Sequence, residues 1–256
     1  MELGISGKVL MLTGASRGIG RAIALSAAAE GCRLSICARG REQLVATAAE
    51  VEKWGIEVLA SVIDVTDSVQ ASEWVGATYD RFGSIDILVN NVGGSRPGGN
   101  LDASGDVWQS GFSLNFFSAV DLCRLVVPHM EKKGAGAVIN IASVYGREWG
   151  GPMTYNAAKA AMISLSKEMA REYARKGIRV NSVAPGSILF PGGSWAKRQS
   201  DDPEAIAAFV KNELPAGRFG TPEEVANVVI FLASKQAQWV SGACLNVDGC
   251  QSRSLI

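Results

Sequence analysis

Of its 256 residues the chain spends only one on histidine, so a Ser-His-Asp or Cys-His catalytic machine would have to be built on His129 alone. That residue follows Pro128 near the end of a long helical stretch and reads as a partly exposed helix-end side chain. Cysteine is scarce too. Cys32, Cys37, Cys123, Cys244 and Cys250 form no Cys-x-x-Cys pair and have no histidine at ligand spacing, which argues against a metal site and a disulfide framework. Charge of either sign is not in excess: Lys and Arg total 25 against 25 for Asp and Glu, so nucleic acid is not an expected partner. No segment approaches ~20 uninterrupted apolar residues, and Met1-Glu-Leu-Gly-Ile-Ser-Gly-Lys8 has no basic start followed by an apolar run. These absences predict a soluble cytoplasmic protein with no membrane partner.

What is present is a large apolar share, 47% of residues, in a chain long enough for one α/β domain and short for two. Residues 1–256 are expected to form a single domain. Short β-branched runs alternate with longer stretches of helical period, the pattern of a parallel sheet covered by helices on both faces. Candidate strands are 8–13, 33–37, 57–63, 86–90, 137–142, 179–184 and 244–247; candidate helices are 18–30, 41–54, 67–82, 104–133, 154–176, 203–212 and 222–234. Thr221-Pro-Glu-Glu224 carries the marks of a capped helix start. The stretch 186–203, with Pro191, Gly192, Gly193 and Pro203, is the least regular, and its residues 187–203 read as a lid or binding loop.

Thr13-Gly-Ala-Ser-Arg-Gly-Ile-Gly20 follows a buried strand and opens a helix. Its glycines let the backbone turn tightly and approach a pyrophosphate at the helix N-terminus. After the second strand, where NAD sites place a carboxylate on the ribose 2′-hydroxyl, the chain reads Ile36-Cys-Ala-Arg39. Arg39 and Arg17 could instead hold a 2′-phosphate between two guanidinium forks. NADP(H) is therefore the preferred cofactor, with NAD(H) an alternative; the plainer reading of each arginine is a solvated surface charge.

Tyr155 and Lys159 stand four apart on a helix, one turn from each other on the same face. A phenol with a pKa near 10 is a poor base at neutrality, and an adjacent ammonium favours its ionised form. Ser143, at a strand end, is placed to hydrogen-bond a substrate oxygen that gains negative charge.

With these motifs in place the chain resembles the short-chain dehydrogenase/reductase family over essentially its whole length. The resemblance is carried by Thr13–Gly20, Asp64-Val65, Asn90-Asn-Val-Gly93, Asn115, Ser143, Tyr155 with Lys159, and Asn181-Ser-Val-Ala-Pro-Gly186. It implies a Rossmann-like, doubly wound parallel sheet of seven strands and a catalytic tetrad at Asn115, Ser143, Tyr155 and Lys159. Tyr155 would be the acid/base, Ser143 the orienting hydroxyl, Lys159 the ribose ligand, and Asn115 the holder of a water linking Lys159 to solvent. The cofactor set implied is Gly14, Ser16, Arg17, Gly18, Ile19, Gly20, Arg39, Asp64, Val65, Asn90, Asn91, Gly93, Tyr155, Lys159, Pro185, Gly186 and Ile188. No residue is assigned to a metal.

Three positions depart from the family pattern. Val92 replaces an alanine, Phe190 stands where a threonine often follows the Pro-Gly pair, and Cys250 replaces a glycine. Phe190, Trp195 and Trp149 are expected to wall the substrate pocket with Ser143 and Tyr155, although core or interface packing would explain each aromatic as well. The pocket's shape is expected to come from loops 95–101, 144–154 and 187–203.

The activity implied is hydride transfer between a nicotinamide and a ketone or secondary alcohol. An alternative is a 3-oxoacyl-carrier-protein reductase of fatty acid synthesis. Basic residues that hold the carrier in those enzymes align with Gly134 and Lys176, so one of the two charges is missing. A non-catalytic NADP(H)-binding regulator is a further alternative, disfavoured by the complete tetrad. Small residues Ala157, Ala158, Ala160 and Ala161 and the helix 104–133 suggest helix pairing across a homotetramer built as a dimer of dimers, or packing within one protomer.

Overall fold

A computed structural model describes residues 2–95 and 98–255; Arg96 and Pro97, inside the expected pocket loop 95–101, lie outside the described residues, as do Met1 and Ile256. Seven parallel strands form one sheet: β1 (Val9–Thr13), β2 (Arg33–Ala38), β3 (Val58–Val62), β4 (Ile87–Asn90), β5 (Gly136–Ile141), β6 (Ile178–Pro185) and β7 (Cys244–Val247). Their order is β3-β2-β1-β4-β5-β6-β7. The chain winds outward from β1 to β3, crosses back to β4 beside β1, and winds outward again, so the order reverses between β1 and β4. Clefts open at such a reversal, at the carboxyl ends of the strands.

Both faces of the sheet are buried, which explains why its central strands read as continuous apolar runs. In β1, Leu10 and Leu12 face one helical layer and Met11 the other. The same alternation runs through Ile87, Leu88 and Val89 of β4 and through Val138 and Ile139 of β5, as the two-residue repeat of a strand requires. On the first face lie α1 (Gly18–Ala29), α2 (Arg41–Glu52) and α9 (Pro222–Ala233). α1 buries mostly small side chains, Gly20, Ala22, Ala24, Ala27 and Ala28, which allows close packing on Ala226, Val229 and Ala233 of α9. On the second face lie α3 (Ser68–Phe82), α5 (Ser118–Lys133) and α6 (Met153–Tyr173).

The start of α9 forms through the expected capping box: Thr221 N donates to Glu224 Oε2 at 2.9 Å, and Glu224 N to Thr221 Oγ1 at 3.4 Å. Arg218 adds a two-pronged pair on the same carboxylate, holding the Glu224 carboxyl down at about 2.

Two expectations are corrected. The stretch 104–133 is not one regular helix. α4 (Gly105–Phe112) and α5 flank a wider turn at Ser113–Phe117 that takes in one extra residue per hydrogen-bonded ring. By length and composition the whole stretch could cross a membrane, yet Leu122, Val126 and Met130 of α5 are buried in the second-face core. The stretch 186–203 is also more ordered than its glycines and prolines suggest. It contains α7 (Ser194–Asp201), which leads directly into α8 (Pro203–Glu213). α7 lacks an aliphatic stripe and is anchored by one ring, Trp195, whose centroid lies 4.6 Å from Phe209 and 5.2 Å from Phe219.

Candidate active site

The carboxyl ends of six strands open on one cavity of about 600 Å³. Gly14, Arg39, Asp64, Asn91, Ser143 and Gly186, each just past a strand end, all line it. The fold thus gathers residues far apart in sequence at one edge of the sheet.

The glycine turn closes through contacts that side chains would obstruct. Gly14 and Gly18 have φ of +68° and +54°, and a Cβ on Gly20 would sit 2.1 Å from the Gly14 carbonyl oxygen. Asn91 Nδ2 donates to the Thr13 carbonyl at 2.9 Å, while Thr13 Oγ1 accepts from the backbone N–H groups of Asn91 and Val92, both at 2.9 Å. The first turn of α1 has no side-chain cap, so its free N–H groups remain available to an anion in the cavity.

At the other end, Lys159 is 1% exposed, and its Nζ donates to the Ile141 carbonyl at 2.7 Å. The ammonium lies 5.8 Å from the Tyr155 ring centroid. Burial lowers the Lys159 ammonium to about 8 and raises the Tyr155 phenol, while a Ser143 hydrogen bond pulls the phenol back down. Asn115 sits in the wide turn between α4 and α5. Its Oδ1 accepts from Gly94 N at 2.8 Å, and its Nδ2 donates to the carbonyls of Gly94 and Gly111. A Cβ on Gly93 would lie 2.8 Å from Asn115 Oδ1 and 2.9 Å from Lys159 Nζ. One point in space therefore brings both polar heads together, and only a glycine leaves it open.

Of the residues singled out from the sequence, Gly14, Ser16, Arg17, Ile19, Gly20, Arg39, Asp64, Val65, Asn91, Gly93, Ser143, Tyr155, Lys159, Pro185, Gly186, Ile188, Phe190 and Trp195 line this cavity. Arg39 pairs with Asp64 at 3.6 Å, and Arg17 Nη1 donates to the Gly192 carbonyl at 2.7 Å. Phe190 covers Gly18, which is why Gly18 does not reach the cavity wall: a Cβ there would lie 2.7 Å from the ring.

Two placements correct the sequence reading. Trp149 does not wall the pocket. It is 86% exposed, because Gly150 and Gly151 turn the backbone beneath the Tyr145 ring and leave the indole outside. Asn90 is buried beneath the cavity, its Nδ2 donating to Asn140 Oδ1 at 2.8 Å in a core network that continues to Ser166.

Sequence reasoning missed Tyr145, Arg198 and Gln251, all on the cavity wall. Tyr145 follows Ser143 by two in the strand-end turn, a spacing that could have marked it. Arg198 follows Trp195 by three on α7, a signal available only once the helix is known. Gln251 had no signal. Its Oε1 accepts from Ser187 N at 2.7 Å, and the C-terminal segment that carries it is anchored on Glu148, whose Oε2 accepts from Ser252 Oγ and from the N–H groups of Arg253 and Ser254.

A family model described as enoyl-(acyl carrier protein) reductase matches residues 14–250. The chain belongs to the short-chain dehydrogenase/reductase family. Within that family it is 36% identical over 247 residues to a 3-oxoacyl-[acyl-carrier-protein] reductase of Thermotoga maritima, covering 96% of this chain and 98% of the relative. The crystal structure of L-sorbose reductase from Gluconobacter frateurii, complexed with NADPH and L-sorbose, superposes with a TM-score of 0.94 at 35% identity, covering all of both chains. A 7α-hydroxysteroid dehydrogenase complexed with NADH and 7-oxo glycochenodeoxycholic acid is 32% identical, with a TM-score of 0.91 over 100% of this chain and 98% of that one. The protein is thus an oxidoreductase of this family with a nicotinamide-type cofactor site.

Proposed function

We propose that this protein transfers a hydride between NADP(H) and a ketone or secondary alcohol, with Tyr155 as general acid and base. The observation that carries the reading is the buried Lys159 ammonium beside the Tyr155 ring, with Ser143 on the same cavity wall. A cation near the phenol favours its ionised form and so acts, with the Ser143 hydrogen bond, against the burial that raises it. Ser143 donates to the substrate oxygen as that oxygen gains charge. Asn115, held by Gly94 and Gly111, keeps the neighbourhood of Lys159 polar and supports proton resupply.

The cavity fits a dinucleotide: α1 offers uncapped N–H groups, and the wall runs from Arg39 to Lys159. When bound, the nicotinamide supplies or accepts the hydride. Arg17 and Arg39 favour a 2′-phosphate, since no carboxylate follows β2 at the ribose position; Asp64 is held by Arg39. Residues 187–203 act as the lid. A homotetramer is the assembly we propose. Carrier-bound 3-oxoacyl substrates are disfavoured, because Gly134 offers no charge and Lys176 is hydrogen-bonded to Glu131 beside the Tyr173 ring.

Replacing Tyr155 by Phe tests the chemistry: kcat should fall by at least about a hundredfold with cofactor affinity retained, the span general acid–base catalysis contributes. Retained turnover would overturn the assignment. Specificity constants for NADPH and NADH test the cofactor, and a clear NADH preference would reverse it.

A further inference from the structure

Four cations line the cavity: Arg17, Arg39, Lys159 and Arg198. Three are committed, to the Gly192 carbonyl, to Asp64 and to the Ile141 carbonyl. Arg198 alone has no hydrogen-bond or ion-pair acceptor among the described residues. Asp201, three residues on, pairs with Lys197; Glu213 and Glu148, which like Arg198 act on the Tyr145 phenol, are engaged by Arg253 and by the C-terminal segment.

Arg198 instead lies against an aromatic ring. Its guanidinium carbon lies 4.9 Å from the Trp195 ring centroid, and Trp195 is itself stacked on Phe209 and close to Phe219. That contact leaves the N–H edge of this exposed side chain unspent. Its position along the cavity is also defined. It lines the cavity together with Ser143, Tyr145 and Tyr155, and its charge acts on the Tyr145 phenol, whereas Arg17 is tied to Gly192 and Arg39 to Asp64. A free guanidinium fork on the wall that carries Ser143 and Tyr155 has a natural complement in a planar anion, which it binds with two parallel hydrogen bonds.

We infer that the substrate is a ketone that carries a carboxylate, clamped by Arg198 while its carbonyl lies at Ser143 and Tyr155. The inference rests on the oxidoreductase reading above and names its substrate class. In the reduction Tyr155 would give its proton to the carbonyl oxygen as the carbonyl carbon takes the hydride that NADPH would supply, leaving NADP⁺ and an unchanged carboxylate.

The test is a matched series: 3-oxobutanoate, 4-oxopentanoate and 5-oxohexanoate against their methyl esters, followed by NADPH oxidation in the wild type, Arg198→Met and Arg198→Lys. The three lengths sample the distance from clamp to carbonyl. For at least one pair, the wild type should favour the acid by roughly tenfold or more in kcat/KM, through KM, as a charge-assisted pair predicts. That ratio should collapse towards one in Arg198→Met and be kept only in part in Arg198→Lys. NADPH titration by fluorescence accompanies each variant. Reduction of the esters with no preference for acids, or a preference that survives in Arg198→Met, overturns the proposal and leaves the oxidoreductase reading intact. Loss of NADPH affinity in Arg198→Met with an unchanged acid-to-ester ratio reassigns Arg198 to the cofactor. If no member of either series oxidises NADPH, this proposal fails, while the hydride-transfer reading, which does not depend on these compounds, stands or falls with the Tyr155→Phe comparison.

Discussion

Arg17 spans the mouth of the cleft: from the glycine turn its Nη1 donates to the Gly192 carbonyl, 175 residues later in the chain, at 2.7 Å. The same side chain is the proposed partner of a 2′-phosphate, so one guanidinium serves both the proposed lid and the cofactor's distinguishing group. Arg17→Met should lower NADPH affinity by roughly tenfold, the worth of a charge-assisted pair, while NADH affinity changes little. It should also speed hydrogen exchange in residues 189–195. Equal loss for both cofactors would remove Arg17 from the phosphate site.

Gly93 permits the meeting of Asn115 and Lys159 by having no side chain. Gly93→Ala would push a methyl to 2.8 Å from one polar head and 2.9 Å from the other, so kcat should fall at least about tenfold, because misplacing the proposed catalytic groups by an ångström is costly. Gly76→Ala in α3 serves as the contrast. Nothing lies within 4 Å of its added carbon, and the helix should gain about 0.5–1 kcal/mol from the better helix former. Urea unfolding and steady-state rates of both variants check the pair; unimpaired turnover in Gly93→Ala would remove the constraint.

Burial sets the proton balance of the core. Between about 8, the folded value for Lys159, and its ordinary 10.5, the folded chain has released a proton that the unfolded chain still holds. The lysine's contribution to stability therefore rises with pH in that window. The buried thiols act in the opposite sense. Cys32 and Cys123 are raised to about 12 and Cys37 higher still, so above 9 the unfolded chain loses protons that the folded one keeps, and their contribution falls. Total stability of the cofactor-free protein should thus decline in alkali. Comparison with Lys159→Met cancels the thiols: the wild type should gain about 2 kcal/mol on that variant between pH 7 and 10. Denaturant midpoints across the range measure it, and a constant difference would contradict the burial argument.

Glu148 holds the C-terminal segment through three hydrogen bonds to a single carboxylate oxygen, and that segment places Gln251 on the cavity wall. Glu148→Ala should make residues 249–255 accessible to carboxypeptidase and raise KM for the organic substrate. The global unfolding midpoint should hardly move, since the segment lies outside the main core. Unaltered digestion would show that the segment has another anchor.

The sheet was legible in the sequence because every central strand is buried on both faces and every crossover carries a helical period. Its seven strands fall within one or two residues of where their β-branched runs put them. The cavity residues were legible for a related reason, since a doubly wound sheet delivers its strand ends to one edge. What was missed depends on contacts between distant segments. Ala196 to Gln199 and the Lys197–Asp201 pair give 194–201 some local helical support, but Phe209 and Phe219 supply the aromatic stack that fixes Trp195, and no local signal marks that. Trp149 looked like a pocket wall by position alone, and a two-glycine turn sends it to solvent. Asn90 belongs to a motif whose neighbours reach the cavity, yet its own side chain alternates to the buried side of the strand, where Asn140 meets it.

The wide turn at Ser113–Phe117 holds one residue more than an α-helix would. Helical phase is thereby offset between α4 and α5, and the two halves face their partners only while the surplus is kept. A single deletion anywhere from 113 to 117 would make the helix more regular and rotate everything on one side of it by about 100°. Asn115 would leave Gly94, or Leu122, Val126 and Met130 would leave the sheet. In this part of the chain the number of backbone residues is itself a requirement of the site, and regularity is what the site excludes.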